Sequence, residues 1–114
     1  MIIKVIEDVI NADELREIAK EYYVDMIKGV VDISKEIIAV GGEYHIDANM
    51  KLLENGSAQM DVWGFNIFLD RPQDERIEFT SLINIRPQAG NRSMEVEDET
   101  IRNKMRDIIK RKVI

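Results

Sequence analysis

The stretch Gln59–Leu69, QMDVWGFNIFL, carries aromatic or aliphatic side chains on both of its alternating faces, and it limits the folds open to this chain more than any other segment. Successive side chains of a strand point to opposite faces. Trp63, Phe65, Ile67 and Leu69 therefore form one apolar row, while Met60, Val62, Gly64, Asn66 and Phe68 form a second, broken by a glycine and an amide. A strand that is apolar on both faces must be covered on both, so it belongs inside a sheet. The expectation is an α+β fold: a mainly antiparallel sheet, arranged as a meander around strand 59–69, with the segments before and after it as its two neighbours. One helix in the N-terminal region and one at the C-terminus would cover it.

The flanking segments carry their own signals. Ile2 to Ile6 alternate around Lys4 and read as a first strand. Asn11 and Glu14 have the spacing of a capping box, which predicts a helix from about Ala12 with Leu15, Ile18, Ala19, Tyr22 and Met26 on its apolar face, ending at or before Gly29. Val30–Ile33 and Ile37–Val40 read as two short strands joined through Ser34, Lys35 and Glu36, or as one longer bent strand. After Gly41-Gly42 the alternation resumes, with Glu43, His45 and Asp47 pointing one way and Tyr44 and Ile46 the other. Met50–Glu54 runs into Asn55-Gly56, a dipeptide that predicts a two-residue type I′ hairpin between strands. A helix capped by Asp47 and ended by Gly56 is the alternative. Beyond the polar turn Asp70–Arg76, Ile77, Phe79, Ile83 and Ile85 form an apolar row with Leu82 out of phase, and Pro87, which cannot donate to a ladder, closes it. Gln88–Met94 reads as an irregular loop. A closing helix has Glu97, Asp98 and Glu99 at its start, Lys110, Arg111 and Lys112 at its end, and Ile101, Met105, Ile108 and Ile109 as its buried stripe.

Composition excludes several classes. A chain of 114 residues that is 45% hydrophobic can build one core, so a single α+β domain over 1–114 is expected. Cysteine is absent, which removes disulfides and thiolate metal sites. The start MIIKVIEDVI lacks the pattern of a signal peptide and no apolar run approaches a membrane span, so the expectation is a cytoplasmic protein without a membrane partner. A net charge of −6 opposes approach to duplex nucleic acid.

The set GVVD, GGEYHID, NGSAQMDVWGFNIF, IEFTSLINIRP and GNRS, preceded by the helical ELREIAKEYY, resembles a small prokaryotic family catalogued as a domain of unknown function. The resemblance covers nearly the whole chain. It implies one compact domain with polar signatures at Gly42, Glu43, His45 and Asp47, at Trp63, Gly64 and Asn66, and at Asn84, Arg86, Asn91, Arg92 and Ser93, and it brings no established activity. Tyr44 and Ile46 stand where Leu and Ala would be expected, and Thr80 where an Asp is usual, so a carboxylate at position 80 is dispensable here.

Two constellations have chemical potential. If Glu43, His45 and Asp47 share a strand face, neighbours in that row lie about 6.5 to 7 Å apart at Cα, and a carboxylate beside the imidazole can fix its tautomer and raise its basicity. These three are the candidate catalytic residues; a solvated strand face is the structural alternative. Asn84, Arg86, Asn91, Arg92 and Ser93, with Glu78, are the candidate ligand-binding residues, because guanidinium forks, a hydroxyl and loop amides suit a phosphate or carboxylate. Pairing of Arg86 and Arg92 with Glu43, Glu78 or Glu95 is the competing role. One histidine and no cysteine make a zinc site unexpected, and oxygen ligation by Glu43, Asp47, Asp61 or Glu78 follows no known spacing. No cofactor is indicated: there is no P-loop, no GxGxxG and no nucleophile elbow. Two classes remain. The one slightly favoured is a protein-interaction or self-associating module, with a homo-oligomer or another protein as partner. The other is a ligand-binding domain or enzyme whose polar site joins Glu43, His45 and Asp47 to Arg86. Convergence of such side chains in one concavity distinguishes them.

Overall fold

A computed structural model describes residues 1–114. Its frame is a five-stranded antiparallel sheet built from β1 (Ile3–Ile6), β2 (Met26–Asp32), β3 (Ile37–Gly41), β4 (Val62–Phe68) and β5 (Ile77–Glu78), in the order β1-β3-β2-β4-β5. Three helices complete it: α1 (Ala12–Ala19), α2 (His45–Glu54) and α3 (Glu99–Lys112). The fold is therefore α+β with a mainly antiparallel sheet. No helix is long and apolar enough to cross a membrane.

The two apolar rows of the central stretch divide the core in two. Trp63, Phe65, Ile67 and Leu69 pack in one cluster with Leu15, Ile18 and Ala19 of α1 and Met105, Ile108 and Ile109 of α3. Val62 belongs to a smaller cluster on the other face, with Val30, Ile37 and Ala39 of the sheet and Ala48 and Leu52 of α2. Asn11 accepts from the Glu14 backbone N–H at 2.8 Å, the first half of the expected capping box, while the Glu14 carboxylate pairs with Lys4 instead of turning back to the Asn11 N–H; Asp98 caps α3 through the N–H groups of Thr100 and Ile101. The hairpin β2–β3 forms as two strands, closed by the Glu36 N–H to the Asp32 carbonyl with Glu36 in the left-handed region.

Several expectations are corrected. The helix α1 stops at Ala19, where the N–H groups of Tyr23 and Val24 turn back onto the Ala19 carbonyl, and Met26 opens β2 instead of lying on the helix. Strand 59–69 shortens to β4 because Gln59–Asp61 forms a 3-10 turn. Its neighbours are β2 and β5, so the segment preceding it is not a sheet partner and the sheet is not a simple meander.

The largest departure is α2, which replaces both strands expected between Glu43 and Glu54. Buried His45, Ala48, Asn49 and Leu52 recur at helical spacing, whereas Tyr44, Ile46 and Met50, whose apolar character suggested a strand, are exposed. The Asp47 carboxylate accepts from the N–H groups of Glu43 and Tyr44 at 3.1 and 3.0 Å and fastens the helix start. Asn55-Gly56 ends this helix and does not form a type I′ turn: Asn55 has φ −85° and only Gly56 is left-handed, at φ +100°.

The strand expected to run from Ile77 to Ile85 ends at Glu78, and Leu82–Asn84 turns as a 3-10 segment after Ser81, whose Oγ accepts from the Ile83 N–H. Pro87 begins another 3-10 turn instead of closing a strand. Beside the first half of β4, side chains stand where a strand would be. Asn84 Oδ1 accepts from the Gly64 N–H at 2.7 Å and its Nδ2 donates to the Gly64 carbonyl at 3.1 Å. Arg86 donates to the Met60 carbonyl at 3.2 Å and to that of Val62. Gly64 makes this approach possible, since a Cβ there would lie 2.6 Å from the Ser81 Cβ.

Candidate functional site

The expected polar strand face does not form, because α2 disperses it. Glu43 is exposed before the helix, and its backbone carbonyl accepts from the Tyr23 hydroxyl. Asp47 is occupied at the helix start. His45, the first residue of α2, is only 9% exposed, and its Nε2 lies 2.8 Å from the Phe65 carbonyl. Arg86 stacks over the Trp63 ring at 4.4 Å, and that ring belongs to the core face opposite α2. His45 and Arg86 thus serve different faces of the sheet and do not share a site.

The second constellation does assemble, but inwardly. Asn91 Nδ2 donates to the carbonyls of Asn84, Ser93 and Glu95, and its Oδ1 accepts from the Glu97 N–H. The Glu97 carboxylate accepts from the N–H groups of Arg92 and Ser93, which hold its pKa below the usual carboxylate range. Glu78 pairs with Arg71 at 3.0 Å. Each amide and carboxylate in this loop network is used on its own chain. Burial lowers the Arg86 pKa, with Asp61 opposing.

His45 instead faces a groove of about 480 Å³ between the start of α2 and the segment 80–83, floored by β2 and β4. Lys28 of β2 and Asn66 of β4 are cross-strand partners on this face. The Lys28 ammonium sits 5.0 Å from the Tyr23 ring centroid and 5.5 Å from that of Tyr44, which holds the cation at the groove wall. Asn66 Nδ2 donates to the Thr80 carbonyl at 3.2 Å, while its Oδ1 is shielded from solvent and has no donor. Tyr44, Ile46, Leu82 and Met94 complete the lining, and Leu82 is 71% exposed.

The electrostatics of His45 follow from this setting. Burial lowers its pKa, the Phe65 carbonyl and Asn66 act to raise it, and Lys28 acts to lower it. A carbonyl only accepts, so the ring nitrogen facing Phe65 carries the proton. With the pKa lowered, the ring is neutral near pH 7 and Nδ1 is left as an acceptor. The groove therefore combines one cation with one open acceptor, Nδ1, above an Asn66 Oδ1 that is shielded and unpaired. No three His, Asp or Glu side chains gather where they could hold a metal ion.

Of the candidate catalytic and ligand-binding residues His45 alone lines this groove, joined by Asn66, one of the polar signatures that the resemblance implies. Lys28, Thr80 and Ser81 were not among them, and Tyr44 and Ile46 were taken only as buried apolar positions. The available signal was a pair of polar residues, Lys28 and Asn66, interrupting two apolar strands, but Lys28 is hidden when residues up to Gly29 are read as helix. Among known proteins, a family model described as protein of unknown function DUF5674 matches residues 4–112. No curated protein and no solved structure matches the chain. With nearly the whole chain matched, the protein belongs to the DUF5674 family.

Proposed function

We propose that this domain binds a small anionic molecule in the groove between α2 and the 80–83 segment. The observation that carries this reading is the convergence of Lys28, His45 and Asn66 from three separate elements onto one concavity of about 480 Å³, within the roughly 300–1,000 Å³ of ligand sites. Lys28 supplies the countercharge for a carboxylate or phosphate. His45 Nδ1 accepts from a hydroxyl or N–H of the same molecule, and Tyr44, Ile46 and Leu82 contact its apolar part. Asn66 keeps an unpaired acceptor under the groove, an arrangement that weakens the fold and that packing alone does not call for.

The test is a thermal-shift and NMR screen of small carboxylates and phosphates against the wild type and Lys28→Met. Binders that stabilise the wild type, move resonances of residues 44–46, 66 and 80–83, and lose most of their effect in Lys28→Met support the reading. Binders that act equally on both proteins, or none at millimolar concentration, refute it.

The exposed apolar residues around the groove favour a second reading, self-association through the same rim. Tyr44, Ile46, Leu82 and Met94 line it and are all exposed. Sedimentation velocity over a hundredfold concentration range tests it, with Leu82→Asp expected to shift any dimer to monomer; a concentration-independent monomer argues against it.

A further inference from the structure

On the opposite face of the sheet, a crevice opens between α1 and α3 at the β4–β5 end. Its floor is apolar and built from the core: Leu15, Ile67, Leu69 and Ile109. Its interior of about 180 Å³ has room for on the order of six water-sized groups at about 30 Å³ each. Through Gln73, Ile77 and Lys110 it continues into a more polar hollow of about 320 Å³.

The rim is cationic in a chain of net charge −6. Arg16, Arg76 and Lys110 border the crevice, and Arg106 and Lys110 border the hollow. Two carboxylates oppose them: Asp70 pairs with Arg16 at 3.3 Å, and Asp74 lines the hollow. The remaining cations are only partly engaged. Arg76 donates through Nε to the Arg71 carbonyl, which leaves the two terminal nitrogens of its guanidinium over, and Arg106 donates through one nitrogen to Asn103. The Lys110 ammonium makes no ion pair and no hydrogen bond within the chain.

We infer that this crevice binds a short unbranched amphiphile with an anionic head, its alkyl chain on the Leu15–Ile109 floor and its carboxylate between Arg76 and Lys110. The excess of cations over the two carboxylates favours an anionic head over an amine and over an uncharged alcohol. The volume of the interior suits a chain of about six carbons, at about 30 Å³ for each water-sized group. This site is independent of the His45 groove and stands whether or not that groove holds a ligand.

Hexanoate, hexanol and hexylamine titrated into the ¹⁵N-labelled protein provide the test. Hexanoate is expected to bind saturably, with shifts confined to α1, α3 and residues 67–77, about fourfold more tightly for each methylene added from butanoate to hexanoate. Hexanol and hexylamine should bind at least tenfold more weakly. Lys110→Glu, a change at an exposed position in the last turn of α3, should weaken hexanoate at least tenfold while lowering thermal stability only slightly, through the reversed charge at the helix end, and Arg76→Gln should weaken hexanoate in the same direction. Equal affinity for all three probes, indifference to Lys110→Glu, shifts centred elsewhere, or no saturation would each overturn the inference.

Discussion

Replacing Asn66 by Leu should stabilise this protein while abolishing ligand binding at the His45 groove. The side chain Oδ1 is shielded from water without a donor, and relieving such an acceptor returns about 1 to 3 kcal/mol. Against this stands the hydrogen bond from Nδ2 to the Thr80 carbonyl, 3.2 Å long and worth about 0.5 to 1.5 kcal/mol. Leucine keeps the branched outline of asparagine, its added bulk can extend into the open groove, and strand positions favour apolar residues over amides. The net expectation is about 1 kcal/mol of added stability. With a urea m-value of about 1 to 3 kcal/mol/M, the midpoint should rise by about 0.3 to 1 M. Trp63, the sole tryptophan and a buried residue, reports unfolding by fluorescence. A midpoint that falls in Asn66→Leu would refute the reasoning, because it would mean that the amide is satisfied in solution and that the groove floor carries no stored cost.

Three further outcomes follow from the same geometry. The folded-state pKa of His45 is lowered from 6.5, so below that pH the unfolded chain takes up a proton that the folded one refuses. Stability should then decline with falling pH, by at most about 1.4 kcal/mol per unit, until the folded-state value is passed; His45→Gln should remove that component, measured as the difference between the two proteins at pH 7.5 and 5.5. Gly64→Ala should cost about 1 to 3 kcal/mol, since its Cβ would press on Ser81, and an unchanged melting temperature would show that the 81–84 turn is not seated on β4. Ile108→Ala should cost about 2 to 5 kcal/mol, and removal of all residues after Met94 should abolish cooperative unfolding.

The parts of the fold that were legible are those in which local chemistry and burial agree. Asn11 and Asp98 cap helices whose apolar stripes face the larger core, and the two rows of the central stretch face two real layers. The misread segment is one in which they disagree. Over His45–Glu54 the buried positions include His45 and Asn49, while Tyr44, Ile46 and Met50 lie in water, so hydrophobicity and burial run in opposite phase. Asn55-Gly56 is also ambiguous in principle, since a left-handed glycine serves a helix end as well as a hairpin. The candidate site suffered most from this error: it joined Glu43, His45 and Asp47 by a strand period that the chain does not have. Asn84 and Asn91 were candidate ligand-binding residues, and their amides are spent on backbone groups. No sequence pattern distinguishes that use from ligand binding.

The substitution of side chains for a strand beside β4 has a bearing on aggregation. An open sheet edge recruits the backbone of other molecules, and β5, with two residues, covers only the far half of β4. Asn84 and Arg86 occupy the Gly64 N–H and the Met60, Val62 and Gly64 carbonyls, groups a foreign strand would need. These two residues act as gatekeepers of the folded chain. Their loss would leave an apolar edge open to strand addition, so variants lacking them should aggregate as fibrils nucleated at Val62–Gly64, well before the core itself gives way.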